Sequence, residues 1–181
     1  MKSDSGSAKP LSKWRLKRTL KRPVDYRPIE DADLKHIWVA YKKGALAPAG
    51  IEGTELSAPD FKTAFEQYVL ENYSAAWVLF APTSKGRTPV GIVFGAWAPR
   101  GAYMTVAGMC WFPWASKRNI LEAIVGFLNG VRKEIPLKFY ALPEHKRTYE
   151  VCAMHGIVRR VGTSYVAFPG KAAAEFETRA A

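Results

Sequence analysis

Two hydrophobic periods alternate along the chain, and each change of period marks an element. VDYRPI (24–29) reads as a short strand. DADLKHIWVAYKKGAL (31–46) then repeats apolar residues at helical spacing, with Leu34, Ile37, Trp38 and Tyr41 on one face, an Asp at its start and Gly44 at its stop. ALAPAGIEGTELSA (45–58) has no period and is rich in Gly, Ala and Pro, so it reads as a loop. PDFKTAFEQYVLENY (59–73) is a second helix, with Phe61, Phe65, Tyr68 and Val69 inward and Pro59 in its first turn.

The period then falls to two. SAAWVLFAP (74–82), TPVGIVFGAWAP (88–99) and AYMTVAGMCWFP (102–113) are strands joined by TSKGR and RG, linkers short enough to force antiparallel neighbours. SKRNILEAIVGFLNGVRKE (116–134) is a third helix, carrying Ile120, Ile124, Phe127 and Val131 on one stripe. LKFYALP (137–143) is a strand, EHKRTYEVCAMH (144–155) a helix closed by Gly156, and IVRRVGTSYVAF (157–168) a last strand. The order β-α-α-β-β-β-α-β-α-β predicts an α/β (α+β) chain. Its central mixed sheet has helices on both faces, because a strand–helix–strand passage follows an antiparallel meander.

Composition adds one division. Of the net charge of +11, +7 belongs to residues 1–22, where eight Lys and Arg stand against Asp4 alone. The chain therefore divides into a basic extended arm (1–22), a globular domain (23–168) and a helix-prone tail (169–181). The polar start MKSDSGSAKPLSK cannot bury enough surface to order itself. WRLKRTLKRP differs, since Trp14, Leu16 and Leu20 punctuate its charges and suit a segment that lies on a partner. Lys13, Trp14, Arg15, Lys17, Arg18, Lys21 and Arg22 are the candidate contacts to a protein subunit or to nucleic acid. A solvated tail is the competing reading.

The two cysteines have no metal-like or disulfide spacing, no apolar run reaches membrane-spanning length, and the start lacks the apolar segment of a signal peptide. These features predict a cytoplasmic protein without a membrane partner or a metal.

YRPIEDADLKHI, TPVGIVFG, CWFPWASKRN and YEVCAMHGIVRRVGTSYV, in that order and at these spacings, resemble the Gcn5-related N-acetyltransferase (GNAT) superfamily over about residues 24–168. The resemblance implies acetyl-CoA as cofactor, held by a loop of pattern Gln/Arg-x-x-Gly-x-Gly/Ala that opens the third helix. Backbone N–H groups and the positive end of the helix dipole would face its pyrophosphate. With Pro113 on the proline that precedes this loop, the first motif position falls on Ser116 and the two glycine positions on Asn119 and Leu121. All three depart from the pattern. Lys117 and Arg118 add charge there, so Trp111, Ser116, Lys117, Arg118, Asn119 and Ile120 form the candidate cofactor-binding set.

The resemblance also implies a Tyr acid on the last helix, four residues before its closing Gly. Cys152 stands at that position and Tyr149 lies one turn earlier, so these two are the catalytic candidates. A Cys on an apolar helix face also serves as core filling. The strands at 88–99 and 102–113 carry no carboxylate to act as base. Trp97, Trp111, Phe112 and Trp114 surround the expected acetyl site, so one of the last three is expected to fill the crevice between strands 102–113 and 137–143.

Two functions follow as expectations. One is a GNAT-like protein with an eroded acetyl-CoA site, without cofactor, that serves as a component of a larger assembly through its basic arm. The chain is also similar to GNAT-like products of tailed phages, which makes a virion component the form of that reading. The other is an active N-acetyltransferase that uses acetyl-CoA.

Overall fold

The computed structural model describes residues 25–84, 86–98, 103–140, 146–154, 156–161 and 164–167. The arm (1–22) and the tail (169–181) lie outside the described residues. Strand β1 (Tyr26–Pro28) leads through a 3-10 turn (Asp31–Asp33) into α1 (Leu34–Lys42), and a second 3-10 turn (Ala47–Ala49) precedes α2 (Ala58–Asn72). Then follow β2 (Ala75–Thr83), β3 (Gly86–Trp97), β4 (Met104–Trp111), α3 (Lys117–Val131), β5 (Leu137–Tyr140), α4 (Lys146–Met154), β6 (Arg159–Val161) and β7 (Ser164–Ala167).

These strands form one mixed sheet in the order β1-β2-β3-β4-β5-β7-β6, with β4 and β5 parallel and the other neighbours antiparallel. The α/β class and the mixed sheet therefore match the reading of the sequence. Two details do not. The first helix is shorter than 31–46, because Asp33 leaves the helical repeat to pair with Arg27 and to accept the Glu30 N–H, while Gly44 turns the chain at φ +69°. The expected single strand 157–168 is instead a hairpin, with Val161 opposite Ser164 and Arg159 opposite Val166.

Both sheet faces are covered, which is why β2 reads as a nearly continuous apolar run. Trp77, Leu79 and Ala81 face α3 and α4, together with Tyr26, Val93, Met104, Ile124, Phe127 and Leu128. Ala76 and Val78 face α1 and α2, together with Ile37, Tyr41, Phe61, Phe65, Phe94 and Phe112. Among the described residues no helix is long and apolar enough to cross a membrane.

Candidate active site

The site begins with a break in pairing. On its β3 side, β4 pairs Val106 with Gly95 and Gly108 with Phe94, so Ala107 has no partner across the ladder. A residue inserted in this way bends the strand that carries it. On its other side, among the described residues, β4 pairs with β5 at two positions, Met104 with Leu137 and Thr105 with Lys138. The ladder stops just before the bulge. Among the described residues, β4 from Val106 onward has no register partner on β5 (Leu137–Tyr140).

The same strand then delivers the chain to α3. Ser116 sits at the N-cap and its Oγ accepts the Asn119 N–H at 3.1 Å. Asn119 answers with Oδ1, which accepts the Ser116 N–H at 3.3 Å and the Ser116 hydroxyl at 2.6 Å. This is a capping box with Asn in place of Glu or Gln. Two amide groups at the mouth of the helix are thereby satisfied from within, and the N–H groups of Lys117 and Arg118 remain as outward donors of the first turn. The Arg118 guanidinium donates to Glu122 Oε1 at 2.9 Å, which raises its pKa and ties it along the helix.

No family model matches the chain, and no curated protein matches it. Solved structures do. The apo form of FdhC, a nucleotide-linked sugar GNAT, matches with a TM-score of 0.50 at 12% identity over 86% of this chain and 91% of that one. A GNAT-family acetyltransferase from Bacillus anthracis matches with a TM-score of 0.53 at 15% identity, over 79% of this chain and 93% of its own. Spermidine N-acetyltransferase from Vibrio cholerae, solved with CoA and spermine, gives 0.53 at 12% identity over 78% and 90%. The chain has the GNAT fold.

Within this GNAT fold, the two residues at and near the acid position are interior. Cys152 has no exposure and Tyr149 is 4% exposed, both packed in the cluster beneath α3 and α4. Burial raises the pKa of the Cys152 thiol and of the Tyr149 phenol, and Cys152 adds to the rise at Tyr149. Both groups therefore hold their protons more tightly than in water.

Of the expected crevice-fillers, two turn elsewhere. Phe112 is buried against the α1 and α2 side, and its ring centroid lies 4.9 Å from that of Trp114. Trp114 donates its indole N–H to the Pro89 carbonyl and meets His36 edge-on, so both rings lean towards β3 and α1. Their helix-facing direction follows from Phe112 sharing the parity of Cys110, not of Trp111. Trp111 faces the α3 side and covers Gly91 on β3. Ile120, in the first turn of α3, is half-buried against the same cluster as Trp111.

The far side of the bulged stretch has a backing that the sequence did not reveal. The 3-10 turn at Ala47–Ala49, read as part of a loop, packs on β4: a Cβ on Gly108 would stand 3.4 Å from Ala49 Cβ. The Cys110 thiol donates to the Leu46 carbonyl at 3.8 Å. Among the described residues no three His, Cys, Asp or Glu side chains group to hold a metal. The candidate partner contacts Lys13, Trp14, Arg15, Lys17, Arg18, Lys21 and Arg22 lie outside the described residues.

Proposed function

We propose that the chain binds acetyl-CoA in the opening between β4 and β5 and transfers the acetyl group to an amine. The observation that supports this is the β4–β5 ladder ending at Thr105 beside the Ala107 bulge. An extended pantetheine arm needs unpaired strand backbone to lie against, and β4 beyond Thr105 offers it. The phosphate end fits less closely. Lacking the glycines of the family loop, this α3 offers the Lys117 and Arg118 N–H groups and the Lys117 ammonium, while Ser116 and Asn119 satisfy each other. Acetyl-CoA brings the activated thioester; the chain's own part is to orient it and to exclude water.

No carboxylate stands on β3 or β4, so the amine must arrive neutral and shed its proton to solvent after attack. The C–N bond forms, the C–S bond breaks, and the thiolate of CoA leaves. A binding module without catalysis is the second reading, and the self-satisfied cap of α3 favours it. Calorimetric titration with acetyl-CoA tests the first. A micromolar dissociation constant together with amine-dependent thiol release supports transfer, and absence of binding supports the module with an eroded site. Micromolar binding without thiol release overturns transfer and leaves a CoA-binding domain.

A further inference from the structure

Two phenols share one acceptor behind the bulge. Tyr68 on α2 donates its hydroxyl to the Ala49 carbonyl at 2.8 Å, and Tyr73, just past the end of α2, donates to the same oxygen at 3.1 Å. A carbonyl oxygen has two lone pairs, so both bonds can be made at once. The two rings meet edge-on at 5.9 Å, and Tyr73 also stacks on Phe94 at 4.7 Å, opposite Gly108 in the β3–β4 ladder. Gly50 makes room for this arrangement: it turns at φ +78°, and a Cβ there would stand 2.7 Å from the Tyr68 hydroxyl. Burial, then the neighbouring Tyr68, raises the pKa of the Tyr73 phenol and keeps it a donor.

The chain of contact continues to the site. Ala49 rests on Gly108, the residue after the bulge, and the Leu46 carbonyl holds the thiol of Cys110 two residues further on. The turn itself is made of small residues (Ala47, Pro48, Ala49), and Ala49 packs in the core beside Phe61, Phe65 and Val69 of α2. We propose that Tyr68 and Tyr73 are positioning residues for the acetyl-CoA crevice: through Ala49 they press the 3-10 turn onto Gly108 and set how far β4 leans from β5. Neither tyrosine touches the crevice itself. The inference rests on the proposed function for its ligand, but its mechanical half stands without it.

Sharing one acceptor gives the pair a signature. Either phenol alone satisfies the Ala49 carbonyl, so Tyr68→Phe and Tyr73→Phe should each change acetyl-CoA affinity less than about 2-fold. The double variant leaves a buried carbonyl without a donor and should weaken binding about 5- to 10-fold, far beyond the sum of the singles. Amide exchange at Gly108–Cys110 in the ligand-free full chain should follow the same pattern, unchanged in the singles and faster in the double. A double variant that loses stability yet binds acetyl-CoA as the parent does, or two additive singles, overturns the positioning role. If the parent does not bind acetyl-CoA, the proposed function fails. The exchange pattern then decides alone, and unchanged exchange at Gly108–Cys110 in the double variant overturns the coupling from the tyrosines to β4.

Discussion

Ser116 and Asn119 close the N-terminus of α3 on each other, the Ser116 Oγ taking the Asn119 N–H and Asn119 Oδ1 taking the Ser116 N–H. An anion at this helix end competes with a side chain for the Ser116 amide. Asn119→Gly removes that competitor and restores a glycine at the first glycine position of the family loop. Loss of half of the cap, with a glycine inside the first turn, should cost about 1 kcal/mol in urea unfolding. Acetyl-CoA should bind about 5-fold tighter by calorimetry, the equivalent of about one hydrogen bond gained. Stability and affinity thus move in opposite directions. A variant that is less stable and binds no tighter places the phosphates away from α3.

Gly91 stands opposite Trp111 in the β3–β4 ladder, and the indole occupies the space a side chain at 91 would need. A Cβ there would lie 2.6 Å from the Cys110 carbonyl oxygen and 2.6 Å from the Trp111 ring. The ring could shift; the backbone carbonyl cannot without breaking the ladder. Gly91→Ala should therefore lower unfolding free energy by about 2 kcal/mol, and adding Trp111→Ala should fail to restore it. Recovery in the double variant would mean that the indole, not the backbone, sets the limit.

How much of this was legible in the sequence depends on the range of the interaction. The helix faces were, because Ile37 and Tyr41, or Ile124, Phe127 and Val131, sit on one stripe whatever they pack against. The α3 N-terminus was legible as a Ser followed three residues later by a polar side chain. The bulge was not: Ala107 is an extra residue only relative to the register of β3, and Val-Ala-Gly-Met reads equally well as unbroken strand. The bulge also inverts facing. Once it shifts the parity of β4, Phe112 belongs to the α1 and α2 face and Trp111 to the α3 face, the reverse of what the facing of Met104 and Val106 would set. The shared bond of Tyr68 and Tyr73 to Ala49 spans 19 and 24 residues and left no local pattern.

Arg27 and Asp33 form a two-pronged ion pair, with N–O distances of 2.6 and 2.9 Å, that joins β1 to the start of α1. Asp33 is 3% exposed, the buried charged residue among the described residues, and its Oδ2 also accepts the Glu30 N–H. Asp33→Ala leaves the guanidinium, which also lies over the Phe80 ring, with Glu30 at 3.5 Å and the Pro28 carbonyl as its partners, and frees that amide. Arg27 keeps some contact with water, so the loss should be about 2 kcal/mol in urea unfolding, below that of a fully buried pair. Arg27→Met, which removes the charge and keeps the stem over Phe80, should leave a buried carboxylate and cost at least as much. A smaller loss in either variant would show that water already screens the pair.

Cys110 is 1% exposed, and burial pushes its thiol up to about 12. In the unfolded chain the same thiol loses its proton above about pH 8.5. Between these values the native state holds a proton that the unfolded state has released, so stability is intact below about pH 8.5 and falls as pH rises towards 12. At pH 9.5 this group alone should remove about 1.4 kcal/mol relative to neutral pH. Cys110→Ala creates a small cavity and lowers stability at pH 7, but it should flatten most of the decline between pH 8 and 9.5, where tyrosines, with an ordinary pKa of about 10, are only beginning to ionise. Cys152, also raised by burial, supplies most of the slope that remains, with a smaller part from the raised Tyr73 and Tyr149. Urea unfolding across that window reads both effects, and an unchanged slope in Cys110→Ala would show that the thiol ionises as freely in the native chain as in the unfolded one.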